Sequence, residues 1–106
     1  MFYKKGQTEF KEPRPGILFK TLTFGDHTHM LQFELSKGVE LTEHTHPEEQ
    51  IGYLISGKLE FLIDGQQYIA EPGDSWCING NVLHYAKALE DCEVIEVFHP
   101  QREDLK

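Results

Sequence analysis

From residue 17 to residue 99 the chain is a succession of short apolar or alternating runs, each closed by a turn, and helical periodicity is hard to find anywhere. The runs cover residues 17–24, 28–35, 39–46, 51–55, 59–63, 67–70, 76–78, 83–88 and 94–99. Gly25-Asp26, Ser36-Lys37-Gly38, Ser56-Gly57, Asp64-Gly65, Pro72-Gly73-Asp74 and Asn79-Gly80-Asn81 separate them. Asp64-Gly65, between LEFLI and QQYIA, is the strongest hairpin signal, because a type I′ turn needs positive φ at both central positions. Strands at this spacing in an unbroken series predict an all-β sandwich or barrel.

At 106 residues the chain suits one domain with one core, burying roughly 65% of its unfolded surface. Residues 1–16 mix charge and aromatics and end in EPRPG, whose prolines prevent a regular central strand. They read as an arm packed on the surface or on another subunit. The closing PQREDLK has room for one helical turn after Pro100. No apolar run approaches the ~20 residues of a membrane helix. The first residues resemble neither a secretion signal nor a transit segment, so the expectation is a cytoplasmic protein. Cys77 and Cys92 lack C-x-x-C spacing and read as reduced thiols, with Cys77 buried in a strand. A formal net charge of −8 argues against nucleic acid and anionic membranes as partners. A small anion remains a possible ligand where a site carries its own positive charge.

Residues two apart in a strand share a face, so His44 and His46 in EHTHPEEQ project side by side and suit one ion. The pair His27 and His29 has the same spacing, but beside a turn it reads as exposed polar surface. The company of the first pair sets it apart. Gly38, His44, His46, Gln50 and Gly57 follow the spacing G-x5-H-x-H-x3-E-x6-G, with glutamine for glutamate. Gly73, Asn79, Asn81 and His84 follow G-x5-P-x-G-x2-H, with asparagine at two turn positions that it tolerates.

These are the two cupin motifs, over residues 38–57 and 73–84, and the chain resembles a small single-domain cupin. The resemblance implies a double-stranded β-helix, or jelly-roll barrel, holding one divalent metal through His44, His46, Gln50 and His84. Gln50 in place of a carboxylate leaves the ligand set uncharged, so an ion there keeps its full double charge, favours an anionic ligand and acts as a strong Lewis acid. Nickel, zinc, manganese, iron and cobalt all suit imidazole, and residue type does not choose among them.

Beyond the motifs, HPEEQIGYLISGKLEF, PGDSW, GNVLH and ALEDCEVIEVFHPQREDL are similar to one cupin branch, the KdgF-type pectin-degradation family. That resemblance implies action on 4,5-unsaturated uronates released by lyases from pectin or alginate, promoting conversion of the closed ring to the linear keto form. The family's D-x-F-x3-R pattern falls on Glu96, Phe98 and Arg102, implying Glu96 as the catalytic residue and Phe98 and Arg102 as substrate-binding residues. Glu96 is one methylene longer than the family's aspartate, which moves a proton donor by ~1 Å and bears on rate or substrate. Taken alone, Glu96 reads equally as a solvated strand residue, Phe98 as core, Arg102 as surface and Trp76 as core.

A metal-dependent dioxygenase, isomerase or lyase on the same barrel stays open as an alternative, as does a non-catalytic sugar-binding cupin. The partner implied is a small anionic sugar. The last strand is apolar on both faces, and with the N-terminal arm this predicts a homodimer.

Overall fold

The computed structural model describes residues 1–106. The runs become strands, and in β5 and β10 a buried face alternates with a more exposed one. Strands β1 (Lys11–Arg14), β2 (Ile17–Phe24), β3 (His29–Leu35), β4 (Glu40–His44) and β5 (Glu49–Ser56) come first in the chain. They are followed by β6 (Leu59–Ile63), β7 (Gln66–Ala70), β8 (Ser75–Ile78), β9 (His84–Ala88) and β10 (Cys92–His99). The alternation is clearest in β10, where Cys92, Val94, Glu96 and Phe98 are buried and the residues between them are more exposed.

Two antiparallel sheets result, one ordered β1-β2-β3-β10-β5-β8 and the other β4-β9-β6-β7. Their inner faces enclose a core that includes Ile17, Leu35, Leu54, Leu59, Phe61, Ile78, Ala86 and Val94. A smaller cluster of Phe19, Leu31 and Phe98 sits toward one end, with Leu105 packed against it. Fully burying a side chain of this size contributes about 1.5–3 kcal/mol, which is the force that pins each strand's register. No helix is long and apolar enough to cross a membrane.

The β6–β7 hairpin turns on Asp64 (φ 51°) and Gly65 (φ 79°), both positive as a type I′ turn requires. Asn81 takes φ 65°, the left-handed conformation expected where it replaces a motif glycine.

Several sequence expectations are corrected. Residues 11–14 of the arm form a strand, β1, which pairs with β2 at the sheet edge, where Pro13 is tolerated. The run over 39–46 begins at Glu40 and ends at His44, so His46 lies in the turn that follows. That turn is tied to the opposite loop by the Asn81 amide donating to the His46 carbonyl at 2.8 Å. Cys77 is exposed, because Trp76 and Ile78 take the inward positions of β8. His29 is fully buried, while His27 is exposed as expected. The C-terminal segment forms a 3-10 turn over Glu103–Leu105.

Candidate metal centre

At one end of the space between the sheets, each sheet contributes part of a single site. His44 on β4 and His84 on β9 are direct cross-strand partners in the smaller sheet. Gln50 and Phe98 are partners across β5 and β10 in the larger one, with Glu96 two residues before Phe98 on the same inner face. His46 reaches in from the turn after β4. The three histidines offer ligand atoms that all lie within 4.8 Å of one another. His46, Gln50, His84 and Glu96 are buried, and His44 stands at the mouth.

Backbone carbonyls fix how the rings are used. Nδ1 of His44 lies 2.6 Å from the Thr42 carbonyl, Nδ1 of His46 2.9 Å from that of Glu48, and Nδ1 of His84 2.8 Å from that of Val82. A carbonyl only accepts, so each Nδ1 carries the proton and donates, and each Nε2 keeps its lone pair. Burial lowers the pKa of His46, with Arg102 adding to the effect, and burial lowers that of His84 against its bond to the Val82 carbonyl. Both rings are therefore neutral at neutral pH and suited to ligating a cation.

Two observations show that these residues fit a cation. Nε2 of His84 is buried without a hydrogen-bond partner. Nε2 of His46 faces Oε1 of Gln50 at 2.8 Å, which opposes two lone pairs once Nδ1 holds the ring's proton. Neutral imidazoles and an amide oxygen suit a divalent transition metal.

The acidic side of the site is held by two donors. Gln50 donates from Nε2 to Glu96 at 3.2 Å, and the Trp76 indole N–H lies 3.3 and 3.4 Å from the two Glu96 oxygens. Burial pushes the Glu96 carboxyl up to about 8, opposed by these bonds from Trp76 and Gln50. Arg102 stacks over the Phe98 ring at 5.0 Å, and the same ring meets His46 edge-on at 5.8 Å. Its guanidinium binds Asp104 at 2.7 and 2.9 Å and lies 3.7 Å from Glu48. Leu105, packed on the Phe19–Leu31–Phe98 cluster, anchors the 3-10 turn that presents Arg102. A cavity of about 250 Å³ is lined by His44, His46, Gln50, His84, Glu96, Phe98 and Arg102 together with apolar residues of the barrel. It admits a small molecule.

Residues 31–98 match the family described as the cupin domain. The chain is 31% identical over 105 residues to the pectin degradation protein KdgF of Dickeya dadantii (strain 3937), an alignment covering 97% of this chain and 96% of that one. This chain belongs to the KdgF-type cupins. Its backbone superposes on the structure of KdgF from Halomonas sp. with a TM-score of 0.93 at 29% identity, covering 100% of this chain and 98% of the other. A second solved structure, an RmlC-like cupin from Shewanella frigidimarina NCIMB 400, matches with a TM-score of 0.94 at 27% identity over 100% and 96% of the two chains.

In this KdgF-type cupin every residue singled out in the sequence reaches the same cavity: the three histidines, Gln50, Glu96, Phe98 and Arg102. The sequence reading assigned Trp76 only to the core. It does pack there, with its ring centroid 4.7 Å from that of Phe61, yet its N–H points at Glu96. Glu48 and Asp104, the carboxylates that flank Arg102, were not singled out; acids in short charged stretches such as PEEQ and REDL are too common to carry a signal.

Proposed function

We propose that this KdgF-type cupin opens the ring of 4,5-unsaturated uronates released from pectin or alginate and promotes their conversion to the linear keto form. The observation that carries the proposal is the convergence of Glu96, Phe98 and Arg102 on the cavity that the histidine cluster also lines. The pectin-degradation relative supports the substrate class. A divalent ion held by His44, His46, Gln50 and His84 would supply Lewis acidity toward the uronate carboxylate and ring oxygen.

The chain's own residues account for the rest. Arg102 forms a charge-assisted pair with a substrate oxygen, in the way it now binds the Asp104 carboxylate. Phe98 packs against the sugar and fixes its face. The overall change is an isomerisation: the bond from the anomeric carbon to the ring oxygen breaks and the anomeric hydroxyl loses its proton. The ring oxygen leaves as an enolate, which gains a proton at the neighbouring alkene carbon and becomes the ketone, so one proton is lost and one regained. Glu96 transfers the proton. Its burial favours the protonated acid, and the charge of a bound cation opposes that preference. The wall around it is largely apolar, which keeps competing water from the enol.

The test is the rate at which the linear keto form appears, followed by NMR, with lyase-generated monomer as substrate. Glu96→Gln keeps the shape and one acceptor oxygen for the Trp76 and Gln50 donors while removing the exchangeable acid, and the wild type is expected to exceed it by about 10²-fold or more. Equal rates from the two proteins would refute the assignment of Glu96.

A further inference from the structure

We infer that Trp76 is a positioning residue for Glu96, and that the missing side chain at Gly52 is what allows its indole to reach. This deepens the proposed reaction and rests on Glu96 being its proton-transfer group. Trp76, Gly52 and Glu96 form one cross-strand row on adjacent strands β8, β5 and β10, with Gly52 paired to both of the others. Backbones two strands apart are about 9.5 Å from each other, too far for a direct bond unless a long side chain crosses the strand between. The Trp76 indole makes that crossing and brings Nε1 to 3.3 and 3.4 Å from the Glu96 oxygens.

The crossing uses the space above Gly52. A Cβ built on that residue would lie 2.2 Å from Nε1, 2.3 Å from Cε2 and 2.5 Å from Cζ2 of the indole. Phe61, from the opposite sheet, covers the ring with centroids 4.7 Å apart. The indole is thus held between the β5 backbone and Phe61, and packing on both faces restricts its direction. An indole N–H only donates, so it always presents the same demand to the carboxyl group, an oxygen lone pair turned toward it. Gln50 makes a second demand at 3.2 Å, on Oε2 of Glu96. Two donors from different strands fix where Glu96 points, and of the two Gln50 lines the cavity while Trp76 stands behind it.

Trp76→Phe separates this role from packing, because it keeps an aromatic ring against Phe61 and removes the donor. In the metal-loaded protein it should lower kcat for the unsaturated uronate by about tenfold to a hundredfold, the cost of a misplaced reacting group, with KM and metal content unchanged. Combined with Glu96→Gln it should add no further loss. An unchanged kcat would overturn the inference.

A second readout does not depend on turnover. The chain has one tryptophan, so the zinc-loaded protein gives one indole N–H resonance. That resonance should exchange slowly with solvent and shift when Glu96→Leu removes its acceptor, whereas Glu93→Gln on the same strand leaves it in place. A resonance that ignores Glu96→Leu would overturn the inference. Should the wild type leave the uronate untouched, the proposed reaction fails and the indole resonance still decides whether Trp76 holds Glu96.

Discussion

Gly52→Ala offers the sharpest energetic prediction because one methyl group meets a part of the molecule that cannot give way. The added carbon would sit 2.2 Å from the Trp76 indole nitrogen, so a tolerable contact requires the ring to move by the better part of an ångström. The indole is rigid and Phe61 backs it, so strand β5 and the opposite sheet must separate or Trp76 must leave its place. Overpacking of this kind costs about 1–3 kcal/mol. Moving the indole also strips Glu96 of a buried donor, at a cost of about 1–3 kcal/mol. Against this, replacing glycine reduces the freedom of the unfolded chain and returns about 0.4–1 kcal/mol. The net loss is about 1–6 kcal/mol, which in a chain of this length lowers Tm by about 4–24 °C. Thermal melts followed by circular dichroism, with metal content matched between proteins, measure it. In a Trp76→Ala background the methyl has nothing to strike, and the same substitution should be near neutral or stabilising. A melting temperature for Gly52→Ala within about 2 °C of the wild type would refute the packing argument, as would an equal loss in the Trp76→Ala background.

Loading with zinc at about a hundredfold excess over its dissociation constant should stabilise the fold by about 2.7 kcal/mol and raise Tm by about 10 °C, and His84→Ala should abolish the rise. A wild-type Tm indifferent to metal would count against the cage. His29 is buried with Nε2 2.8 Å from the Thr21 hydroxyl and Nδ1 unpartnered, and its pKa is lowered by burial, with Lys106 and Arg102 adding and Glu103 and Asp104 opposing. The unfolded chain therefore takes up a proton at this position below the ordinary value of 6.5 before the folded one does. The stability it confers is complete above that pH and is lost as pH falls toward the lowered folded value. In metal-free protein, His29→Leu should flatten the stability decline as pH falls below the ordinary value of 6.5, and an unchanged slope would contradict this. Ile51, Tyr53 and Ile55, exposed by 49%, 49% and 42% on the outer face of β5, fit the expected homodimer. Sedimentation should give two chains per particle for the wild type and one for Tyr53→Glu; a monomeric wild type would contradict the assignment.

How much of this was legible in the sequence differs residue by residue. The Asp64-Gly65 hairpin was readable because its turn depends on two local φ values, and the Asn81 turn for the same reason. The histidines were readable because motif spacing encodes loops of fixed length between strands. The burial of His29 was missed although its strand carried the signal: His29, Leu31, Phe33 and Leu35 share one parity in β3, and His29 and the last three face inward or nearly so. Parity was likewise enough to place Cys77 outside, between Trp76 and Ile78. Strand β1 was hidden because proline depresses strand propensity locally, while edge pairing depends on what lies alongside. The bond between Trp76 and Glu96 lay beyond any local reading, because it depends on the sheet order β8-β5-β10 and on an absent side chain in the strand between.

The central claim is that this cavity accelerates opening of an unsaturated uronate ring. Its most direct test is the loss of ultraviolet absorbance near the unsaturated-uronate band, using lyase-generated monomer with metal-loaded wild type, chelator-stripped wild type and metal-loaded His46→Ala. The account predicts accelerated decay with the first alone and the uncatalysed rate with the other two. A metal-loaded wild type that decays at the uncatalysed rate, with metal bound in the protein, would contradict it.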